Sequence, residues 1–407
     1  MRIYKVGGCV RDRLLGYEIK DRDWVVVGSS NEEMLALGYK KVGKDFPVFL
    51  HPKTHEEYAL ARTEKKTGRG YYGFEVDASR AVTLEEDLSR RDLTINAIAE
   101  DENGSVIDPY NGQQDLEDGV LRHVSPAFVE DPLRVLRVAR FAARFNFSVA
   151  SSTLELMKEI SSGQELLTLA AERIWSELER ALNEPYPDMF IRTLRDANTL
   201  AVLFPELDCL FGIPQPAKYH PEIDTGEHIC LALRQCANLN ASSEIRFAVL
   251  VHDLGKGTTD AELLPGHSGH EERGVDLVAE FCNRFRIPKS HRSLAVIVTR
   301  YHLMVHRARD LRASKLLSLM LNLDALRRPA RFDDILLACK IDATGRLGMS
   351  ASPYPSTQYL RTARDELANV NTREIAERGL EGDALLEEIS RARIAALENM
   401  KRAYTDL

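Results

Sequence analysis

The sequence predicts an α+β protein: a small mixed β-sheet head followed by an all-helical body. Residues 1–120 alternate short strand-like and turn-like pieces broken by glycines. From about Asp131 onward a 3.6-residue apolar period dominates and strand signals fade. Prolines then punctuate the helical stretches, among them Pro132, Pro205, Pro288 and Pro329.

The chain has 407 residues, more than one simple core holds, so several domains are expected. It is 44% hydrophobic and 29% charged, the composition of a globular protein. No run approaches the roughly 18 apolar residues of a membrane helix. The first residues enter a strand-like pattern with no signal-peptide core, so a cytoplasmic protein with no membrane partner is expected. The six cysteines (Cys9, Cys209, Cys230, Cys236, Cys282, Cys339) are scattered without a CxxC pair, and read as small buried hydrophobes. The net charge of −8 argues against nonspecific nucleic-acid binding. Arginines are nonetheless clustered: Arg122, Arg134, Arg137, Arg140 and Arg144 form one group, and Arg62, Lys65, Lys66 and Arg69 another.

In chain order, Arg2–Val6, Trp24–Val27, Val48–His51 and Glu57–Arg62 read as strands, with helices over Val10–Leu15 and Asn31–Leu37. Gly7-Gly8 follows the first strand, where two glycines let a backbone approach phosphate closely and a helix N-terminus presents free N–H groups. Arg11 adds a charged donor. Asp21-Arg22-Asp23 leads into the second strand. Residues two apart on a strand point to one side, and two carboxylates held there repel each other unless cations intervene. Alone, such a pair is more often a polar turn. Its position after Gly-Gly and an apolar strand favours a metal site for phosphate chemistry.

Further on, Arg90-Arg91-Asp92-Leu93-Thr94-Ile95-Asn96 offers groups for a ribose hydroxyl and a phosphate, or simply a capped helix start. Asp108-Pro109-Tyr110-Asn111-Gly112 is a turn. In Glu130–Arg144, Asp131 suits an N-cap and Pro132 a first turn. Arg134, Arg137, Arg140 and Arg144 then share one helix face, with Val135, Val138, Ala139 and Ala142 on another. Residues 204–221, rich in Pro and Gly, read as an interdomain connection. The apolar helix Ile245–Val251 ends on His252-Asp253, and His267 and His270 follow.

The string Gly7-Gly8-x-Val10-Arg11-Asp12-x-Leu14-Leu15-Gly16 followed by Asp21-x-Asp23 resembles the head of the class II nucleotidyltransferases of the DNA polymerase beta superfamily, which are the tRNA CCA-adding enzymes and the bacterial poly(A) polymerases. The resemblance implies that Asp21 and Asp23 are catalytic and hold Mg²⁺. It implies that Gly8, Arg11 and Arg91 bind the nucleotide, and that Asp131 and Arg134 pair with the Watson–Crick edge of CTP or ATP. Arg137 and Arg140 would lie near the phosphates or sugar. The third carboxylate is open between Glu64 and Glu57, and the Gly68–Gly73 loop is expected to move. The His252-Asp253 segment resembles the HD phosphohydrolases. That resemblance implies a metal held by His228, His252, Asp253 and Asp342, the last assigned by position. Ni²⁺ or another transition metal suits such a set. His267 and His270 would be phosphate contacts or further ligands. His302 is undecided, and His51, His55, His123, His220, His291 and His306 carry no pattern.

Together these imply a nucleotidyltransferase head over 1–140 and a helical, RNA-binding neck and body over 141–215. An HD domain over 216–330 would be completed by a helical region over 331–407. The implied function is addition and repair of the 3′-terminal CCA of tRNA with CTP and ATP, by two-metal transfer. The HD domain would add 2′,3′-cyclic phosphodiesterase, 2′-nucleotidase and phosphatase activity. The partner is the 3′ end and acceptor arm of tRNA, bound by a monomer or homodimer. A poly(A) polymerase is the alternative, disfavoured by the intact HD segment, and a catalytically dead RNA-binding protein is disfavoured by the full set of carboxylates.

Overall fold

The computed structural model describes residues 1–19, 21–42, 47–66 and 74–405. The expected mobile loop Gly68–Gly73, with Arg69, lies outside them. Among the described residues the chain divides into two units, 1–181 with 189–204, and 182–188 with 205–407.

One strand buried on both faces organises the first unit. The strands are β1 Arg2–Val6, β2 Asp23–Val27, β3 Lys40–Lys41, β4 Val48–Leu50, β5 Glu57–Leu60, β6 Thr63–Lys66, β7 Phe74–Asp77, β8 Ala99–Glu100 and β9 Val106–Ile107. Val25 and Val27 of β2 join an apolar cluster with Tyr4, Val6 and Leu88, while Val26 joins another with Met34, Phe49, Tyr58 and Leu60. The strand is thus covered on both faces, and it lies central in a seven-stranded sheet of order β3-β4-β5-β2-β1-β8-β9. β2 runs parallel to β5 and antiparallel to β1. Strands β6 and β7 form a separate hairpin.

β2 begins at Asp23, so the two aspartates do not share one strand as the spacing predicted. β1 ends at Val6, which pairs with Asp23, and the chain turns at Gly7. No β1 residue remains to pair with Asp21. The turn also starts the first helix earlier than predicted: α1 spans Gly8–Leu14. Strand β5 stops at Leu60, two residues short of the expected end. Helices α2 Asn31–Ala36 and α3 Leu84–Ser89 each start on a capping box, from Ser30 with Glu33 and from Thr83 with Glu86.

After α4 Gly112–Asp118, the helix α5 Leu133–Phe145 is the spine of the remaining first unit. Val135, Val138, Ala139 and Ala142 are fully buried, as the period predicts. The cap sits one residue later than expected, on Pro132, while Asp131 accepts from the Leu133 N–H at 3.0 Å. Helices α6 Ser151–Ser162, α7 Ala171–Leu182, α8 Asp188–Asp196 and α9 Thr199–Leu203 follow.

The second unit is helical: α10 Pro205–Asp208, α11 Thr225–Asn238, α12 Ser243–Val251, α13 His270–Arg284, α14 Lys289–His306, α15 Ala313–Asn322, α16 Pro329–Thr344, α17 Ser356–Ala368, α18 Thr372–Ala376 and α19 Gly382–Thr405. Residues 245–251 of α12 are all buried, and α12 packs against α11, α14 and α16. The segment expected to be a connection belongs to this unit instead. Gln215 and His220 are buried, and Pro214 bridges to Asp224. Leu207 and Leu210 are buried too, but beyond them the buried groups are polar and punctuated by prolines, so no apolar period runs through the segment. Five cysteines are buried and Cys209 is exposed, at odds with the uniformly buried expectation. Among the described residues no helix is long and apolar enough to cross a membrane.

Candidate functional site

The first unit holds a cavity of about 490 Å³ at the end of β1 and β2. Gly7, Gly8, Arg11, Asp23, Arg91, Asp131, Arg134, Arg137 and Arg140 line it, all of them expected site residues. Asp21 is exposed, lies ahead of β2, and is not among the lining residues. Arg62, Glu64, Arg90, Asp92, Asn96, Phe141 and Arg144 line it as well. Eight arginines against four carboxylates make this a cationic cavity on an acidic chain, suited to a polyphosphate.

Each arginine is held in place. Arg11, 3% exposed, donates to Asp12 at 2.8 Å and to Asn96, and stacks over Phe141 and Phe145. Gly7 adopts φ +71°, and a Cβ there would lie 2.7 Å from Nη1 of Arg91, so a side chain at this turn would be strained and would displace that guanidinium. Arg137 donates to Asp92 Oδ2 at 2.7 Å. Burial alone would raise the Asp92 carboxyl; Arg137 and the Asn96 amide overcome it and hold the group well below the usual carboxylate range. Arg140 is tied to Glu177 at 2.6 Å beneath Phe141. Arg134 donates to the backbone carbonyls of Ala127 and Arg90, which fixes its guanidinium plane while leaving further N–H groups for a ligand.

The carboxylates divide by environment. Partial burial raises the Asp23 pKa, opposed by Arg91 and reinforced by Asp21, so a cation would be favoured beside it. Glu64 Oε1 meets Arg62 at 2.8 Å and Arg90 at 2.9 Å. Glu57 is exposed and stands in register with Asp23 on the neighbouring parallel strand. Asp87, fully buried, receives Arg90, Arg91 and the Arg62 N–H, an anchor that no pattern in the sequence announces.

The second unit brings His228, His252, Asp253 and Asp342 together, all at most 4% exposed. His228 Nε2 lies 3.1 Å from Asp342 Oδ1, and His252 Nε2 lies 3.2 Å from Asp253 Oδ2. His252 Nδ1 meets the Val249 carbonyl at 2.8 Å. That contact puts the proton on Nδ1 and turns the Nε2 lone pair toward the carboxylates. His252 Nε2 and Asp253 Oδ1 have no hydrogen-bond partner although buried. Lone pairs facing carboxylate oxygens require a cation between them. The His252 pKa reflects this: burial would lower it, yet Asp253 and Asp342 push it up to about 9. The imidazole and carboxylate donors therefore fit a divalent transition metal.

His270 and His302 belong to the same cluster. Their Nδ1 atoms meet the His267 and Thr299 carbonyls at 2.8 and 3.0 Å, their Nε2 atoms are 3.3 Å apart, and both approach Asp253 Oδ1. Groups that could hold an ion include His252, His302 and Asp342, and Asp253, His270 and His302. His267 lies differently from its expected role: both ring nitrogens are engaged, by Thr259 and by the Pro214 carbonyl, and its backbone anchors His270. Lys256, 6% exposed, donates to Asp253 and to Gln215.

His306 and His220 carry no pattern in the sequence, and the structure sets both at this centre. His306 Nε2 is 2.6 Å from Asp342 Oδ2 and its Nδ1 is 2.7 Å from the Tyr354 hydroxyl. The four-residue spacing of His302 and His306 on α14 was the signal available for them. His220 meets Glu222, which in turn approaches His228.

Residues 3–122 match the family described as poly A polymerase head domain, and 146–210 the family described as probable RNA and SrmB-binding site of polymerase A. Residues 225–337 match the HD domain. The chain is 56% identical to the multifunctional CCA protein of Nitrosococcus oceani, over 98% of both chains. It is also 56% identical to that of Thioalkalivibrio sulfidiphilus, over 99% of this chain and 100% of the other. Among solved structures it resembles a CCA-adding enzyme with ATP at a TM-score of 0.63 and 22% identity, covering 99% of this chain and 89% of that one. The Bacillus stearothermophilus CCA-adding enzyme in complex with CTP gives 0.63 at 23%, over 98% and 88%. At those identities the likeness speaks for the fold: a nucleotidyltransferase head, a helical body and an HD domain.

Proposed function

This chain belongs to the multifunctional CCA protein family, and from that premise we propose that it adds and repairs the 3′-terminal CCA of tRNA with CTP and ATP. The observation that carries the reading is one cavity in which Gly7-Gly8, Asp23 and the Asp131/Arg134 pair converge among eight arginines. Asp21 and Asp23 would hold divalent ions, Mg²⁺ in the family pattern, which supply activation of the primer hydroxyl and neutralise the departing pyrophosphate. The Gly7 turn brings backbone N–H groups against the triphosphate. Arg11 and Arg91 receive its charge, each held by carboxylates or carbonyls so that little ordering remains on binding. Arg134 and Asp131 present a donor fork and an acceptor, which a small shift matches to either cytosine or adenine. Glu64 acts as counter-ion to Arg62 and Arg90, and Glu57, beside Asp23, is the better-situated third carboxylate.

The histidine–aspartate centre would be a metal-dependent phosphohydrolase acting on 2′,3′-cyclic phosphate, 2′-phosphate or phosphomonoester ends. His228, His252, Asp253 and Asp342 would hold the metal, with His270 and His302 extending the set. A transition metal there supplies a water activated for attack on phosphorus. The chain's own contribution is orientation: three of the rings are fixed through Nδ1 by backbone carbonyls, so their Nε2 atoms converge without reorganisation.

The test uses radiolabelled CTP and ATP with tRNA transcripts ending before CCA, after CC, and in a 2′,3′-cyclic phosphate. Incorporation of two C residues and then one A supports the reading. Absence of C incorporation with CTP alone would sink it in favour of a poly(A) polymerase. Release of the cyclic end only with a transition metal present supports the second activity.

A further inference from the structure

One ring of the histidine–aspartate centre is held differently from its neighbours. His252, His270 and His302 each rest Nδ1 on a backbone carbonyl three residues back in sequence. His228 does not. Its Nδ1 lies 2.9 Å from Glu222 Oε1, within ion-pair distance but off the angle of a hydrogen bond, so this buried nitrogen faces a carboxylate without a hydrogen bond of its own. The Glu222 side chain is 3% exposed. The same oxygen meets His220 Nδ1 at 3.1 Å, and the other accepts from the Leu347 N–H at 3.2 Å just beyond α16, the helix that carries Asp342. A buried carboxylate thus ties the approach to α11, the His228 ring and the end of α16 together.

The backbone next to it is strained. Ile223 has φ +63°, a conformation that β-branched residues rarely adopt. Its side chain is 48% exposed, so burial of the isoleucine does not offset the strain. The strained turn is instead pinned on both sides: the Ile223 N–H donates to the His220 carbonyl at 2.9 Å, and its own carbonyl accepts from the Gln215 N–H at 2.7 Å. Gln215 also accepts from Lys256, which pairs with Asp253. Strain kept in this way marks a position set for function.

We infer that Glu222 is a positioning residue of the metal centre: by taking the Nδ1 proton of His228 it fixes the ring so that Nε2 faces the metal, and the turn at Ile223 exists to hold it there. The inference rests on the reading of this centre as a metal site. Glu222 touches a ligand and not the metal, so it acts through His228. A carboxylate on the far nitrogen makes an imidazole a stronger donor than a carbonyl does, and loss of such a partner costs about 10–100-fold in metal affinity. The alternative is that His220, Glu222 and His228 themselves hold a further ion. In that arrangement Glu222 would be a ligand itself, and its removal would cost one bound ion while leaving the remaining affinity intact.

The experiment is calorimetric titration of the metal-free full chain with Ni²⁺, alongside Co²⁺ visible spectra and thermal melts. Binding lost in His252→Ala is assigned to the histidine–aspartate centre. Glu222→Ala is expected to weaken that binding by about 10–100-fold and to shift the Co²⁺ bands. Glu222→Gln, whose amide oxygen still accepts from Nδ1, should weaken it less. Ile223→Gly, which adopts positive φ freely, should bind Ni²⁺ as the parent does. Unchanged affinity and an unchanged spectrum in Glu222→Ala overturn the inference while leaving the metal site standing. Loss of one bound ion with the remaining affinity intact overturns it in favour of Glu222 as a ligand. If His252→Ala removes no Ni²⁺ binding from the parent, the metal reading itself fails. If Glu222→Ala melts too early to titrate, the comparison of Glu222→Gln with the parent decides, because a merely structural carboxylate would leave the Co²⁺ spectrum unmoved.

Discussion

Replacing Arg137 by Met leaves Asp92 a buried carboxylate without its counter-ion, and the size of the effect follows from the geometry. Asp92 is 6% exposed and takes a 2.7 Å bond from Arg137. Breaking a fully buried pair by removing one partner costs about 3–5 kcal/mol. Arg137 is 34% exposed at an open cavity, so water screens part of this and about 2 kcal/mol is expected. The pH dependence has a definite sign. With Arg137 present, the folded Asp92 pKa lies below its unfolded value of 3.8, so its stabilisation is complete above that value and is lost as pH falls toward the folded one. Without Arg137 only Asn96 and Arg134 oppose burial, so the folded pKa rises, and the penalty that remains is relieved as acid protonates the group. The gap between parent and Arg137→Met is therefore widest near neutrality and closes toward pH about 4. Because the two units need not unfold together, the readout is hydrogen exchange of the Leu93–Ala97 amides across a urea series. Asp92→Asn, which keeps the acceptor for Leu93 and removes the charge, completes a double-mutant cycle. The double variant should be more stable than Arg137→Met alone. Additive effects, or a gap that does not change with pH, would refute the role assigned to the pair.

Other perturbations separate the two centres. Gly7→Ala forces a Cβ to 2.7 Å from Arg91, and with strain of about 1–2 kcal/mol should raise the KM for CTP and ATP about tenfold in steady-state incorporation. Asp23→Ala should abolish nucleotide addition and leave cyclic-phosphate hydrolysis unchanged, whereas His252→Ala should do the converse; loss of both activities in either variant would contradict independent centres. Protein stripped by a chelator and given Mg²⁺ alone should regain nucleotide addition without hydrolysis, and transition metal should then restore the second activity, as followed by release of phosphate.

The fold class and the family were legible because both rest on dense local strings. The glycine turn, the aspartate pair and the arginine helix each lie within a few residues, and the apolar period switches near Asp131. What was not legible was polar and nonlocal. Asp87 grips three residues around the cavity, yet in sequence it is one acid in a helical turn. His220 lies in the proline-rich segment 204–221 and Glu222 just beyond it, where buried hydrogen bonds leave no period. His302 and His306 were a missed opportunity, four residues apart on one helix. The start of β2 was not legible because it depends on β1, which leaves no partner for Asp21 once the chain turns at Gly7.

The net charge of −8 concealed two local imbalances of opposite sign. The head cavity has more guanidinium groups than carboxylates, and several of those carboxylates are spent on fixing arginines, so it is completed by an anion. The histidine–aspartate centre gathers carboxylates whose charge draws an extra proton onto His252 when no metal neutralises them, so it is completed by a cation. Neither deficit is stable in a dry interior, yet both persist because the surrounding bonds leave the groups no other arrangement: Asp87 and Glu64 for the arginines, backbone carbonyls and Glu222 for the rings. Pre-organisation of this kind exchanges stability in the empty protein for affinity in the loaded one. A single chain of net negative charge can therefore carry one centre suited to a polyphosphate and another suited to a metal, because each deficit is local to the residues that line its own unit.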